Sequence, residues 1–505
     1  MHKGILTSNE RKKHRIDLIN IIPRQYVQNM EALPPPSGIL YVGGALKSAG
    51  YQVNVHHISS AQIDEAALLI ARSQPLFVGV SVFTGLPTYV SAEFSKKAKE
   101  INKNLTVVWG GVHPSLVPEQ CVRQRYIDIV VVGEGEDTVT ELADALSEGT
   151  SLRGIKGISY KEGDAVRMNE PRPLIEDLDR FRIDWSLIEP DRYIQKGPDG
   201  IRSLVFITSR GCPSNCGFCY NLQFNKRRWR AHSIEFVLKE ARGLKEKLGI
   251  NRLSFNDDNF FAKKDRAIKL IEGFRAMNIS MGMLELRVDD IKEELVSVLK
   301  DFDIERIFTG WESGNDRILK LIHKDFGVED IIKAVSVLAR YPKMHLKTSA
   351  IIGFPTETRQ EILNTVSTML TLGSIHPNMA FNMGMYLPYP GTPLYPLAVK
   401  EGFRPPENPE DWKQWDMFGS KLPITWLPCF TKRDIANVKN ISKYCQIYET
   451  KYLAKGESRL KYSVRDFFRK VARYRYEKNF FRVQFEFPLL RLLRAINRCI
   501  GGRVA

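Results

Sequence analysis

From residue 15 to about residue 150, short apolar runs alternate with amphipathic segments, the imprint of a parallel sheet flanked by helices. The runs are Ile16 to Ile22, Tyr51 to Val55, Leu76 to Val82, Thr106 to Trp109 and Ile127 to Val132. Five strands with helices between them predict a doubly wound, parallel-sheet α/β domain over residues 1–150. Such domains bind ligands beyond the carboxyl ends of their strands. The loops to watch are therefore Ser81 to Gly85, Gly110 to Ser115 and Gly133 to Asp137.

Residues 151–200, with Pro171, Pro173 and Pro190, read as a connector. A second alternating series starts at Ser203. Its apolar runs are Leu204 to Thr208, Arg252 to Phe255, Met283 to Arg287, Arg306 to Gly310, His345 to Gly353 and Met379 to Tyr386. Amphipathic helices such as Ser233 to Leu248 and Lys263 to Met277 separate most of them. Six strand–helix units are too few for a closed barrel of eight, so residues 201–395 are expected to form a partial (β/α)6 barrel with its chemistry at the strand carboxyl ends. Beyond Tyr395 the alternation stops, and residues 396–505 read as a basic, largely helical C-terminal region.

Composition narrows the class. A chain of 505 residues exceeds what one hydrophobic core organises, and 43% hydrophobic with 26% charged residues is the balance of a folded globular protein. No apolar run has the length needed to cross a bilayer, and the Lys- and Arg-rich opening leads into no stretch of signal-peptide type, so a cytoplasmic location is expected. The net charge of +16 is uneven: residues 451–505 hold 15 Lys and Arg against 4 Asp and Glu. Basicity belongs to the tail rather than to the body.

Three of the seven cysteines fall within eight residues, which points to a metal site rather than a disulfide framework. The segment is Thr208-Ser-Arg-Gly-Cys212-Pro-Ser-Asn-Cys216-Gly-Phe-Cys219-Tyr220, directly after a predicted strand. Cys212, Cys216 and Cys219 can each hold one iron of a four-iron four-sulfur (4Fe-4S) cluster, and the fourth cysteine usual for such clusters is missing nearby. The iron left open can chelate the amino and carboxylate groups of S-adenosylmethionine, and a reduced cluster can then cleave its sulfonium bond to a 5′-deoxyadenosyl radical. Tyr220 offers an aromatic face to adenine. Two other readings stay open: a zinc site with His232 as fourth ligand, and three unligated thiols.

The loop resembles the signature of the radical S-adenosylmethionine superfamily. Residues 15 to 395 resemble its cobalamin-binding class, which includes methyltransferases and the anaerobic magnesium-protoporphyrin monomethyl ester cyclase. The resemblance implies further cofactor contacts. Asp257 and Asp258, in Asn256-Asp-Asp-Asn259, fall where the family binds the amino group of S-adenosylmethionine, although the usual Gly-Gly-Glu is absent. Arg287 falls where an arginine pairs with its carboxylate. Glu312 and Ser313 resemble the ribose position, and Gly353, in Ile352-Gly-Phe-Pro-Thr-Glu357, resembles the adenine-side motif. Taken singly, each also reads as a barrel-end turn.

In the N-terminal domain, Leu33 to Tyr41, Ala49-Gly-Tyr51 and Trp109-Gly-Gly-Val-His-Pro114 resemble cobalamin-binding domains of this class. Gly110 and Gly111 let backbone approach a large flat ring, while Ser81 and Thr84 can donate to its amides. Gly133 and Glu134 supply a third strand-end loop, which also reads as a plain helix start. The Asp-x-His-x-x-Gly motif that provides a histidine ligand to cobalt is absent. His56, His57 and His113 therefore have an ordinary reading as polar surface or core residues, though His113 is carried as a candidate with its loop. A degenerate domain holding no corrin is the alternative.

The expectation is thus a radical enzyme with 4Fe-4S, S-adenosylmethionine and cobalamin as cofactors. The expected substrate is a carbon of a lipophilic small molecule, and the resemblance implies that one S-adenosylmethionine methylates cobalamin, a second yields the radical, and the substrate radical takes the methyl group. An electron donor of flavodoxin or ferredoxin type is the expected partner. No side chain is assigned an acid–base role. Oxidative cyclisation or carbon–carbon coupling without methyl transfer is one alternative, and a non-catalytic membrane- or RNA-binding protein is another. In the tail, Leu489, Leu493, Ile496 and Ile500 recur at helical spacing among Arg491, Arg494 and Arg498, below an aromatic, basic stretch. Such a segment can lie on an anionic membrane or pack as a solvated helix. No nucleic-acid module is recognisable.

Overall fold

The computed structural model describes residues 14–27, 33–197, 200–376, 378–415, 422–445, 448, 459–481, 484–490 and 492. They fall into two compact units. The first comprises Met1–Leu286, Asp301–Glu305 and Leu387–Trp426, and the second Arg287–Lys300, Arg306–Tyr386 and Leu427–Ala505.

The first unit opens with strands β1 (Arg15–Ile22), β2 (Gln52–Ser59), β3 (Val78–Ser81), β4 (Val107–Gly110) and β5 (Ile129–Val131). All pair in parallel, in the order β2-β1-β3-β4-β5. Alternation along β1 shows why the fold is doubly wound. Ile19 and Ile21 join the core under helices Ile63–Ser73 and Leu86–Ile101, while Ile16 and Leu18 join the opposite core under helices Ser37–Ser48 and Glu136–Glu148. β2 outlasts its apolar run because it pairs with β1 over all eight residues, carrying His56 and His57 in register.

The stretch expected to be a connector adds two strands to this sheet. β6 (Ile158–Glu162) runs antiparallel to β5, and β7 (Ala165–Met168) antiparallel to β6. Gly163, at φ +62, opens the two-residue turn between them, as glycine does in a type II′ hairpin.

β8 (Gln195–Lys196) then leads antiparallel into β9 (Arg202–Phe206). A small hairpin follows, of β10 (Ser209–Arg210) and β11 (Arg230–Ala231), and then β12 (Arg252–Phe255) and β13 (Ser280–Glu285), with β9, β12 and β13 parallel. Between them lies helix Ile234–Leu248, capped by the Ser233 hydroxyl and closed by Gly249 at φ +66, and then helix Lys264–Ala276. β13 starts three residues before the apolar run predicted: Asn278 at φ +51 turns the chain out of the helix, and Arg252 fixes Ser280 through its hydroxyl at 2.9 Å.

The second unit carries β14 (Ile304–Glu312) from Arg306 onward, with β15 (His345–Ile352) and β16 (Met379–Met385) parallel beside it. All six strands of the partial barrel series are present, with helices between them. The chain is α/β with a doubly wound parallel sheet followed by a partial barrel.

The C-terminal region divides between the units. Residues 403–415 return to the N-terminal domain: Leu86 N donates to Trp415 O at 2.9 Å, Gln120 Nε2 to Pro406 O at 2.7 Å, and Tyr126 Oη to Glu410 at 2.9 Å. Trp412, Trp415, Trp426 and Phe403 form one aromatic cluster, with Trp412 edge-on to His113 at 5.0 Å. In the second unit, helix Arg459–Lys478 buries Phe468, Ala472 and Tyr476. It is pinned where Glu486, fully buried, accepts from Arg475 at 2.6 Å and from Tyr444 at 2.9 Å. Of the terminal stripe, Leu489 is half-exposed, whereas Arg491, Leu493, Arg494, Ile496, Arg498 and Ile500 lie outside the described residues.

Candidate active site

The cysteine loop is shaped by the hairpin that closes it. β10 and β11 bracket residues 211–229, and in their register Arg210 lies opposite Arg230. Two arginines facing each other across a hairpin repel. Glu134 lies between them: Oε1 accepts from Arg210 at 2.9 Å and Oε2 from Arg230 at 2.7 Å, while Glu136 takes the second Arg210 prong at 2.6 Å. Burial works to raise Glu134, but Arg210 and Arg230 overcome it and hold the carboxyl below the usual range. Both acids come from the Gly133-Glu-Gly-Glu136 loop, beyond the end of β5. The N-terminal sheet therefore fixes the base of the cysteine loop.

Gly211, at φ +83, passes so close to the Arg228 carbonyl that a Cβ would sit 2.1 Å from its oxygen, so no side chain fits there. The two acids after β12 brace the same turn. Asp257 is buried, accepting from Thr208 N at 2.8 Å, Thr208 Oγ1 at 2.6 Å and Ser209 Oγ at 2.5 Å. Burial pushes its carboxyl up to about 6 against those bonds. Asp258 accepts from Gly211 N at 2.9 Å. Both carboxylates engage the loop's own backbone or hydroxyls. Tyr220 stacks obliquely with Tyr389 at 6.0 Å, and Leu394 N donates to Gly217 O at 3.0 Å, so residues 389–394 cover one side of the loop.

The donor set discriminates among the metal readings. Cys212, Cys216 and Cys219 are all half-buried on one loop, and Cys212 Sγ accepts from Asn259 Nδ2 at 3.8 Å. Hydrogen bonds of that kind tune cluster thiolates. His232 is committed elsewhere. It is stacked on Phe236, with Nδ1 3.0 Å from Asp179 and Nε2 3.1 Å from Tyr41 Oη, and burial lowers its pKa to about 4. A neutral ring must then donate from Nδ1 to Asp179 and accept Tyr41 at Nε2, leaving no lone pair for a metal. Of the other described cysteines, Cys121 and Cys445 are buried in hydrophobic cores and Cys429 is exposed.

At the carboxyl ends of β3, β4 and β5 the predicted corrin loops come together. Ser115 Oγ donates to Gly111 O at 2.7 Å and accepts from Gly133 N at 2.9 Å, tying two of them. Gly111, at φ +96, lies against the Val82 backbone, where a Cβ would be 3.0 Å from Val82 O, and Gly133, at φ +83, has open space where a Cβ would stand. Gly110 ends β4 and Ser81 ends β3, its carbonyl accepting from Asn20 at 3.3 Å. Phe83 holds an exposed ring beside them, 49% accessible. The glycine-lined, partly apolar cradle suits a large planar ring. Thr84 and His113 face inward to each other at 3.4 Å, and burial lowers His113 to about 3, so this imidazole is a neutral core group. His56 bonds Asp17 at 2.8 Å and His57 bonds Tyr193 at 2.9 Å.

The other predicted contacts lie in the second unit. Arg287 grips Asp289 through two prongs at 2.9 and 3.0 Å. Glu312, at φ +64, pairs with Lys324 at 3.2 Å, and Ser313 is buried beside Thr365 at 3.4 Å. Gly314 allows this turn to touch helix Arg359–Ile375, since a Cβ would lie 2.8 Å from Thr365 Cα. Gly353, at φ +80, and Phe354 donate their amides to Glu357. Burial pushes Glu357 up to about 8.

Reading the motifs did not single out Arg210, Arg230, Asn259 or Tyr41. The available signal was opposite charge in two strand-end loops, Gly-Glu-Gly-Glu and Ser-Arg-Gly-Cys.

The sequence and structure have known counterparts. The B12 binding domain model matches residues 23–143 and the radical SAM superfamily model residues 206–369. An uncharacterized methyltransferase of Pyrococcus horikoshii is 34% identical over 412 residues, covering 80% of this chain and 86% of the relative. The anaerobic magnesium-protoporphyrin IX monomethyl ester cyclase of Cereibacter sphaeroides is 28% identical over 375 residues, covering 72% of this chain and 60% of the cyclase. Among solved structures, the cobalamin-dependent S-adenosylmethionine radical enzyme OxsB with aqua-cobalamin bound superposes with a TM-score of 0.68 at 18% identity, over 92% of this chain and 72% of that one. The chain belongs to the cobalamin-dependent radical S-adenosylmethionine methyltransferase family.

Two outcomes follow from these geometries. Glu134→Ala strands the buried Arg230 guanidinium, and denaturant unfolding should show a loss of about 3–5 kcal/mol, with less iron bound per chain after anaerobic reconstitution. Glu357 has a folded pKa above that of the unfolded chain, so its contribution is complete below about 4.5 and is lost as pH rises through about 8. Stability should fall across that window by up to ~1.4 kcal/mol per pH unit, and Glu357→Gln should flatten the profile.

Proposed function

We propose that this chain methylates a carbon of a lipophilic small molecule, with a 4Fe-4S cluster on Cys212, Cys216 and Cys219 and cobalamin on the loops around Gly110, Gly111 and Gly133. The observation that carries the reading is the Glu134 bridge. One carboxylate joins the glycine cradle of the N-terminal sheet to the base of a three-cysteine loop whose neighbouring histidine is already committed. When bound, the cluster and S-adenosylmethionine supply a hydrogen-abstracting radical, and cobalamin supplies a methyl carrier.

The chain's own residues then have distinct tasks. The three thiolates hold iron, and Asn259 moderates the Cys212 sulfur by donating to it. Asp257 and Asp258 keep the loop's entry turn rigid. Tyr220 offers a ring to adenine, and Arg287, Glu312, Ser313 and Gly353 are the candidates for the remaining S-adenosylmethionine contacts. Arg287 must release Asp289 to pair with a carboxylate. Ser81 and the Gly110, Gly111 and Gly133 backbones face the corrin, whereas Thr84 and His113 act from behind by packing the loop. A small one-electron carrier of flavodoxin or ferredoxin type reduces the cluster.

Lipophilicity is supported by the tail. Phe467 and Tyr474 are 49% and 56% exposed on one face of helix Arg459–Lys478, and Phe480, Phe485 and Leu492 are exposed after it. Lys470 and Lys478 lie among them, an interfacial composition suited to an anionic lipid surface. Among the described residues no helix is long and apolar enough to cross a membrane.

Anaerobically reconstituted protein should bind about four iron per chain and cleave S-adenosylmethionine to 5′-deoxyadenosine. Its product should gain a methyl group derived from S-adenosylmethionine; turnover with radical formation but no such gain transfers the assignment to cyclisation or coupling. Vesicles containing phosphatidylglycerol should sediment the protein, and Phe467→Ser with Tyr474→Ser should release it. Equal sedimentation of both proteins removes the membrane contact.

A further inference from the structure

The cysteine loop does not face solvent alone. After the short helix Asn221–Phe224 the chain makes a tight turn through Asn225-Lys226-Arg227-Arg228-Trp229 before re-entering the hairpin at Arg230. Lys226 and Arg227 are consecutive non-glycine residues in the left-handed region, at φ +51 and +59. Such backbone is held only where its surroundings impose it. Asn225, buried, anchors the start by accepting from Arg230 at 2.9 Å and from Arg228 N at 2.8 Å. The Trp229 indole anchors the end, donating to Asn259 O at 2.9 Å.

The strained turn holds Lys226, Arg227 and Arg228 exposed, three cations in sequence. It also packs directly on the cysteine loop: Arg227 Nε donates to Pro213 O at 3.2 Å, and the Arg228 carbonyl is the atom that forbids a side chain at Gly211. Lys263 extends the charge, with its ammonium 5.7 Å from the centre of the Trp229 ring. Glu176 is the acid paired within this surface, through Arg228. A short covalent and hydrogen-bonded connection runs inward, from the Trp229 indole to Asn259 and from the Asn259 amide to Cys212 Sγ.

From this juxtaposition we infer that the turn Lys226–Arg228, with Lys263 and Trp229, is the docking face for a small acidic one-electron carrier protein. The inference rests on the proposed cluster and adds where its electron enters. The carrier loses one electron and the cluster gains it, with no bond made or broken. An acidic surface complements the three cations, and oppositely charged faces raise the encounter rate while making it sensitive to salt. Seating on this turn brings a carrier against the segment that bears Cys212. Electron transfer is steep in distance, so the location matters more than the affinity.

The test uses full-length reconstituted protein, reduced flavodoxin as the acidic carrier, and reduced methyl viologen as a small cationic reductant. Three readouts are followed: flavodoxin binding by calorimetry at low and high salt, cluster bleaching by stopped flow, and 5′-deoxyadenosine formation. Lys226→Glu with Arg227→Glu and Lys263→Glu should weaken flavodoxin binding and slow flavodoxin-driven bleaching at least tenfold. Viologen-driven bleaching should stay within twofold of the unaltered protein. Lys226→Gln with Arg227→Gln, which leaves the backbone demand similar, should give a smaller loss and a shallower salt dependence. If both variants bind flavodoxin and are reduced by it as the unaltered protein is, the docking face is wrong. If viologen reduces no cluster in the unaltered protein, the underlying cofactor assignment fails instead.

Discussion

A buried carboxylate shared by two arginines that would otherwise repel is the constraint on which the rest of the catalytic architecture depends. Arg210 and Arg230 face each other across the hairpin that closes the cysteine loop, and Glu134 satisfies both while Glu136 takes the remaining prong. Without an acid between them, like charges at such burial would drive the strands apart. The acids belong to a different sheet from the hairpin. The cysteine loop is therefore not self-sufficient, and the N-terminal domain braces it as well as presenting a glycine cradle of its own.

The arrangement explains why one strand-end loop carries two kinds of residue. Gly133 is open above its backbone and suited to a ring, whereas Glu134, next in sequence, turns to the hairpin. Movement of that loop on filling the cradle would be felt at Arg210, two residues from Cys212. Tyr41 adds a second link, hydrogen-bonded to His232 and lying 4.6 Å below the Arg210 guanidinium.

The parts of this fold that were legible in the sequence are those governed by local periodicity. The apolar runs located eleven parallel strands: inner strands such as β1 and β5 are buried along most of their length and read as continuous hydrophobic stretches, while β15 shows itself by alternation. The hairpin β6–β7 was hidden in a segment whose prolines and charges suggested a connector, although Ile158-Ser-Tyr160 alternates and Gly163-Asp164 is a turn pair. In the site, the cysteines were legible because ligand spacing is local. The bonds of Glu134 and Asp257 were not, because the partners of a buried carboxylate are set by tertiary packing. Glycine positions gave the better guide: Gly211 leaves no room for a Cβ, and Gly111 takes a positive φ close against the Val82 backbone.

The aromatic segment 403–415 has a consequence for how the protein is made. Gln120 waits for Pro406, 286 residues downstream, and the His113 loop is sealed by Trp412. The domain synthesised first therefore emerges from the ribosome with one flank bare and acquires its last wall only after both strand series have been translated. Until that segment has been made the flank stays uncovered, a window in which a chaperone can shield it.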